Sequence, residues 1–328
     1  MPAFARGHNS MQGSLHRQQS HHWHCAGRRL DLSAPLVMGV VNVTPDSFSD
    51  HGRHFDRGMA IDHGLQLIDE GADILDIGGE STRPNAPDVP VDEELRRVLP
   101  VIEALAAHGV PLSVDTSKPE VMRQALAAGA VIVNDVRALQ APGAIDAVAS
   151  SDCGVVLMHM LGTPSTMQAA PHYNDLLGEV SGFLRERFAA LRAAGVDAQR
   201  IVLDPGFGFG KTVEHNLQLL ARLRELDVPA PLLAGLSRKS TLGAVTGRGV
   251  RERVHASVAA ALIAVQHGAR VVRVHEVAAT RDALAVWRAV QGQMPQQMQR
   301  EIQQQTQPDP QDAGAAQGAP EQQARDRH

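Results

Sequence analysis

Eight short runs of Val, Ile, Leu and Gly, each ending abruptly in a polar or charged residue, alternate along the chain with helix-sized stretches. The core composition is aliphatic, with 43% hydrophobic residues against 3% aromatic. Together these observations predict an α/β fold: a (β/α)8 TIM barrel, a single domain with disordered N- and C-terminal tails. Each run is too short for a helix and too apolar for a strand with one wet face, so it reads as a strand buried on both faces of a parallel sheet. Strands alternating with helices give successive right-handed βαβ units, and eight of them close a barrel whose interior is filled by Val, Ile and Leu.

The polar ends fall in order at Asn42, Gly78-Gly79-Glu80-Ser81-Thr82-Arg83, Asp115, Asn134-Asp135, His159, Asp204, Ser237-Arg238-Lys239-Ser240 and Arg273-Val274-His275. Between them, Gly58 to Glu70 carries Met59, Ile61, Leu65 and Ile68 at helical spacing and stops at Gly71. Asp92 to Ala107 opens on Asp92-Glu93-Glu94, which complements the positive end of a helix, and ends near Gly109. Pro119 suits a first helical turn, where its missing N–H is no loss, and that helix closes at Gly129. A shorter candidate from Pro142 to Ala149 and longer ones over Asn174–Ala194, Val213–Leu226, Arg251–His267 and Thr280–Val290 complete the set.

A barrel of this kind commonly needs ~250 residues, which 328 residues provide with ends to spare. Residues 25–292 are expected to form it. Residues 293–328 are rich in Gln, Pro, Ala and Gly, and 1–24 are polar; neither composition buries enough apolar surface to offset the entropy of ordering. His21-His22-Trp23-His24-Cys25 can in principle bind a transition metal, but no second ligand group of suitable spacing accompanies it, so it reads as a solvated or packed entry segment. A net charge of −5 gives no bulk reason to expect nucleic acid or anionic lipid as partner, so any basic site must be local. Cys25 and Cys153 form no C-x-x-C pair and fit a reducing compartment, with Cys153 packed at the start of the Gly154–Met158 strand. No apolar stretch approaches the ~18 residues that span a bilayer, and Met1 to Ser20 lacks the apolar block of a secretory signal. No membrane association and a cytoplasmic location are therefore expected.

Three constellations carry chemistry. Gly206 to Thr212 fails the P-loop pattern, which needs Gly where Pro205 stands, and has G-x-G-x-G where the dinucleotide fingerprint needs G-x-G-x-x-G. It reads instead as a loop after Asp204 that exposes Phe207 and Phe209 for stacking on a planar ligand, core packing being the alternative. Asp115, Asn134 and Asp204 place hydrogen-bond acceptors at strand ends, where they can meet the N–H edge of a heterocycle. Helix capping or a metal site is the alternative, though a metal cage wants more carboxylates. Arg83, Arg238, Lys239, Arg273 and His275 lie on the same loop side and point to an anionic ligand, phosphate or carboxylate, near the usual barrel phosphate site.

Seven stretches then meet a known family: Asn42-Val43-Thr44-Pro45-Asp46-Ser47-Phe48-Ser49-Asp50, Gly78-Gly79-Glu80-Ser81-Thr82-Arg83-Pro84, Ser113-Val114-Asp115-Thr116, Asn134-Asp135-Val136, Asp204-Pro205-Gly206-Phe207-Gly208-Phe209-Gly210-Lys211, Ser237-Arg238-Lys239-Ser240 and Arg273-Val274-His275. In this order, over about Leu36 to Val290, they closely resemble the dihydropteroate synthases. The resemblance implies a cytoplasmic, homodimeric transferase of folate biosynthesis, a target of sulfonamides. It would join 7,8-dihydropterin-6-ylmethyl diphosphate to p-aminobenzoate, giving 7,8-dihydropteroate and pyrophosphate.

By matching motif, the resemblance implies that Asp115, Asn134, Asp204 and Lys239 hold the pterin with Met158 as an apolar wall. It assigns Thr82, Arg273 and His275 to the diphosphate, Asn42 to Mg2+, and Phe48, Arg83, Pro84, Phe209 and Ser240 to p-aminobenzoate. It makes Asp115, Asp204, Lys239, Arg273 and His275 the catalytic set. The chain departs from the family at His51-Gly52, where two glycines are frequent, which narrows the backbone options of the first loop. Two other classes share parts of the pattern: a pterin-binding barrel that passes methyl groups to a corrinoid protein, and a non-catalytic paralogue. Deleting Gln293 to His328 is expected to leave turnover and melting temperature nearly unchanged, and a stability loss above about 1 kcal/mol in thermal or urea unfolding would show that this segment docks on the barrel.

Overall fold

The computed structural model describes residues 21–44, 52–82, 86–162, 167 and 171–293. An antiparallel hairpin of β1 (His22–Cys25) and β2 (Arg28–Asp31) comes first. The eight strands that follow are β3 (Leu36–Asn42), β4 (Ile74–Gly78), β5 (Leu112–Asp115), β6 (Ile132–Asp135), β7 (Gly154–Met158), β8 (Ile201–Asp204), β9 (Leu232–Ala234) and β10 (Ala269–Val274). They pair in parallel and in chain order, and β10 returns to β3 to close the barrel.

The helices are α1 (Gly52–Asp69), α2 (Val91–Ala106), α3 (Pro119–Ala127), α4 (Ala144–Ala149), α5 (Leu176–Ala193), α6 (Val213–Ala221), α7 (Ser240–Thr246), α8 (Val254–Gln266) and α9 (Val277–Gln293). Local chemistry sets their ends. Asp175 caps α5 by accepting from the Gly178 amide at 3.1 Å, and Thr212 opens α6 with a reciprocal bond pair to His215. The α6 region tightens at its end into a 3-10 turn over Leu223–Glu225 instead of running unbroken to Leu226. Helix α7 had no sequence counterpart, because Leu242 and Val245 among Ser, Thr, Gly and Ala over seven residues give too little apolar period to read. Among the described residues no helix is long and apolar enough to cross a membrane.

Because alternate residues of a strand face opposite sides, the pairing register decides what fills the barrel. Met38, Ile74, Ile132, Val156, Val202, Leu233 and Val271 form one buried apolar cluster, and Trp23, Cys25 and Leu32 of the hairpin region join it. The hairpin is therefore a stopper under the amino-terminal ends of the strands. Trp23 donates from Nε1 to the Arg200 carbonyl at 2.9 Å, and a side chain at Gly154 would collide with Cys25 Sγ. The folded unit thus begins upstream of the boundary expected at residue 25, which falls on the last residue of β1. The alternation of buried Trp23 and Cys25 with half-exposed His22 and His24 is the period-two signal behind it. At the other end α9 reaches Gln293.

The stopper lies opposite the carboxyl ends of the strands, so it should govern stability and not chemistry. Trp23→Ala is expected to lower the urea unfolding free energy by about 3–5 kcal/mol while leaving kcat/KM unchanged in the folded protein. An unshifted unfolding midpoint would show that the hairpin does not seal the barrel.

Candidate active site

Following the ladder pairs around the barrel, Asn42 lies beside Gly78, Gly78 beside Asp115, and Asp115 beside Asn134. Asn134 in turn lies beside Val156, and Met158 beside Asp204. Arg273 pairs with Met38 on β3. Asp76 shares the parity of Gly78, two residues earlier on β4. Asn42, Asp76, Gly78, Asp115, Asn134, Met158, Asp204 and Arg273 therefore have the parity of the inner apolar cluster, but sit nearer the carboxyl ends. Polar groups form the upper layer of the interior and aliphatic ones its floor.

Arg273 organises that upper layer. Its Nε donates to Asp76 Oδ2 at 2.6 Å and its Nη2 to Asp115 Oδ2 at 2.9 Å. Asn134 Nδ2 donates to the same Asp76 oxygen at 3.0 Å. Asp76 is fully buried, and its Oδ1 has no hydrogen-bond partner among the described residues. Burial pushes Asp115 up to about 7, with Arg273 opposing and Asp76 reinforcing the shift. Burial also raises Asp204, against the pull of Lys239 and of the Gly206 amide, which donates to Asp204 Oδ1 at 2.7 Å. Lys239 is drawn down to about 8 by burial despite Asp204 nearby. Burial works against the Arg273 cation as well, but Asp76 and Asp115 outweigh it and hold the guanidinium above its ordinary range.

The glycine-rich loop after β8 differs from expectation. Phe207 is not exposed: at 1% accessibility its ring is part of the main hydrophobic core, and burying it gains more than offering it to solvent. Phe209 is half-buried, and Lys239 Nζ sits 4.4 Å from its ring centroid while donating to the Phe207 carbonyl. Met158 is buried at the end of β7, and Ser240 is exposed at the start of α7.

The cations also part company. Arg238 is exposed and bound to Glu276, Nε to Oε1 at 2.6 Å, so it is not a free cation aimed into the mouth. Ser237 Oγ gives its only proton to Glu276 Oε2 at 2.9 Å, so the 2.9 Å contact with His275 Nδ1 requires the imidazole to donate there. Thr82 lines a cleft with Glu80, Asp115 and Ser117. Lys118 braces that side, reaching Glu80 at 2.6 Å and the buried Glu94 at 2.5 Å. Phe48, Arg83, Pro84 and the His51 position lie outside the described residues.

Asp76 is the residue that sequence reasoning missed. It stands inside the apolar run Ile74 to Gly78 instead of at its end. The available signal was a carboxylate in a strand buried on both faces, which demands a cationic or hydrogen-bonding partner.

Residues 38–275 match the pterin binding enzyme family. The dihydropteroate synthase of Escherichia coli K12 is 51% identical over 262 residues, covering 79% of this chain and 93% of that protein. Among solved structures, Xanthomonas albilineans dihydropteroate synthase with 4-aminobenzoic acid is 59% identical with a TM-score of 0.79, covering 84% of this chain and 100% of that one. Burkholderia cenocepacia dihydropteroate synthase complexed with 7,8-dihydropteroate is 53% identical with a TM-score of 0.77, covering 84% and 98%. A barrel whose inward strand ends carry these acceptors and cations, and whose sequence matches these enzymes over nearly all of their length, belongs to the dihydropteroate synthase family.

Proposed function

We propose that this chain transfers the pterinylmethyl group of 7,8-dihydropterin-6-ylmethyl diphosphate to p-aminobenzoate. The methylene C–O bond to diphosphate breaks, a C–N bond to the aniline nitrogen forms, and the amine proton leaves to pyrophosphate or solvent. The products are 7,8-dihydropteroate and pyrophosphate. The observation that carries this reading is the inward parity shared by Asp115, Asn134, Asp204 and Arg273 at one end of one barrel. Such a site lacks a strong nucleophile and works by positioning and charge stabilisation.

In this reading Asp115, Asn134, Asp204 and Lys239 hold the pterin's N–H edge and ring substituents, with Met158 beneath it. Arg273 uses two of its five N–H groups on Asp76 and Asp115, so three remain for the departing diphosphate together with Thr82 and His275. Phe48, Arg83, Pro84, Phe209 and Ser240 take the p-aminobenzoate. Among the described residues no trio of His, Cys, Asp or Glu forms a metal cage, and the lone amide oxygen of Asn42 fits a Mg2+ that takes its other ligands from water and substrate phosphate. When bound, that ion neutralises diphosphate charge.

Exposed Val213 and Leu217 on α6, Val245 on α7 and Ile263 on α8 lie on consecutive helices and support a homodimer. The buried free thiols of Cys25 and Cys153 support a cytoplasmic location.

Pyrophosphate release with both substrates tests the function; binding of the pterin diphosphate without release on adding p-aminobenzoate would overturn it. The raised carboxylates give a second expectation. Burial holds protons on Asp115 up to about 7 and raises Asp204. N–H donors of a pterin favour the charged carboxylate, so binding lowers both pKa values and expels protons, and affinity falls as pH drops below about 7. Binding heats in two buffers of different ionisation enthalpy should show this release near pH 6, and Asp115→Asn should remove most of it. Equal observed heats in the two buffers would place the carboxylates away from the ligand.

A further inference from the structure

The mechanism above makes no use of Lys211, although it is a buried lysine beside the site, 3% exposed. Its ammonium lies within reach of three acceptors: His159 Nδ1 at 2.9 Å, the Gly206 carbonyl at 3.0 Å and the Phe209 carbonyl at 3.1 Å. Among the described residues no carboxylate lies within ion-pair distance of it. A lysine in such a place is costly, and its three bonds all close one loop.

That loop has its polar backbone drawn toward side chains. Lys239 takes the Phe207 carbonyl, and Tyr173 Oη donates to the Gly210 carbonyl at 2.8 Å. Asn216 Oδ1 accepts from the Gly208 amide at 2.7 Å, and Asp204 Oδ1 from that of Gly206. Gly206, Gly208 and Gly210 all have positive φ, at 70°, 80° and 63°. Side chains at Gly206 and Gly210 would strike the backbone of His159 and Leu161, so the loop is pressed onto the segment that leaves β7. Lys211 is the tie across that seam. His159 is itself set by an edge contact with Phe183 at 5.1 Å and by Tyr173 at 6.1 Å.

We propose that Lys211, with His159 as its fixed acceptor, is a positioning residue of the pterin pocket: it holds the Gly206–Gly210 loop so that Phe207 stays anchored in the core while Phe209 and Lys239 face the ligand. This deepens the pterin-binding reading and rests on it.

The protonated form of Lys211 is the one that fits. Three N–H groups match three acceptors, whereas a neutral amine has two, and its lone pair then faces the lone pair of His159 Nδ1 unless the imidazole changes tautomer. The groups facing Lys211 are His159 from the end of β7, Asp204 from β8, Lys239 after β9, and Tyr173 before α5, with His215 of α6 behind the tyrosine. Burial brings Lys211 down to about 7, with Asp204 opposing and Lys239 assisting. Burial, and then Lys211, bring His159 down to about 3, so it is a neutral acceptor over the working range. Rising pH therefore removes the tie, the opposite sense from Asp115, whose protonation weakens binding as pH falls.

The test is the pH dependence of affinity for an unreactive pterin diphosphate analogue in wild type, Lys211→Met and His159→Leu, with the KM for p-aminobenzoate measured alongside. Wild type should show a bell with an alkaline limb. Lys211→Met should bind the analogue about tenfold more weakly near pH 6, lose the lower part of that limb and keep its acid limb, and raise KM for p-aminobenzoate as well, because Phe209 rides on the same loop. His159→Leu removes one acceptor from the ammonium and should move the alkaline limb to lower pH, which keeps the idea testable if Lys211→Met does not fold. Wild-type binding with an unmoved alkaline limb in His159→Leu, or with unchanged affinity in Lys211→Met, would overturn the positioning role. Failure of wild type to bind the analogue would instead overturn the pterin-binding reading.

Discussion

A carboxylate inside a closed barrel cannot remain charged alone, and Asp76 is such a carboxylate. Removing an ion from water costs several kcal/mol even after relaxation, so the interior must supply its partners from other strands. Arg273 on β10 and Asn134 on β6 both meet the same Asp76 oxygen. Arg273 is thereby also brought to Asp115, on a fourth strand, β5. The guanidinium fork is held rigidly by acceptors on two sides, which leaves its other N–H groups oriented before any ligand arrives. Organisation of this kind reduces the cost of binding an anion in a low-dielectric pocket.

The same closed geometry separates support from chemistry. One set of inward positions near the amino ends is apolar and packs on Trp23, Cys25 and Leu32. The next inward positions are Asp, Asn, Met and Arg. A slip of one residue in any strand would exchange inner and outer faces and destroy both layers at once. Helices on the outside complete the core, and Phe207 extends that core into the loop after β8. The loop is thus tied to the body of the protein at one ring while its neighbour two residues on remains half-exposed.

Much of this was legible because strand ends announce themselves. Asn42, Asp115, Asn134 and Asp204 each terminate an apolar run, and the barrel rule places such ends together. Asp76 was harder to see because it interrupts a run rather than ending it, and a single charge looks like noise until the strand is known to be buried on both sides. Phe207 misled because glycine neighbours signal exposure, whereas the same glycines allow the backbone to fold the ring inward. Arg238 looked like a site cation from its place after a strand; nothing local in the sequence foretold that Glu276, 38 residues on, would take it. The stopper hairpin was hidden by the histidines around Trp23, whose polarity masked a two-residue alternation.

The aliphatic floor and the hairpin beneath it close one end of the barrel, so the polar layer above them is reached from the carboxyl ends of the strands. The carboxylates of Asp115 and Asp204 lie deep in the well, while Ser240 stands exposed at its rim. A ligand seated at the rim blocks the way to the deep position and does not share it. Depth in the well therefore becomes a matter of sequence in time: whatever reaches Asp115 and Asp204 has to pass the level of Ser240 on its way in and again on its way out.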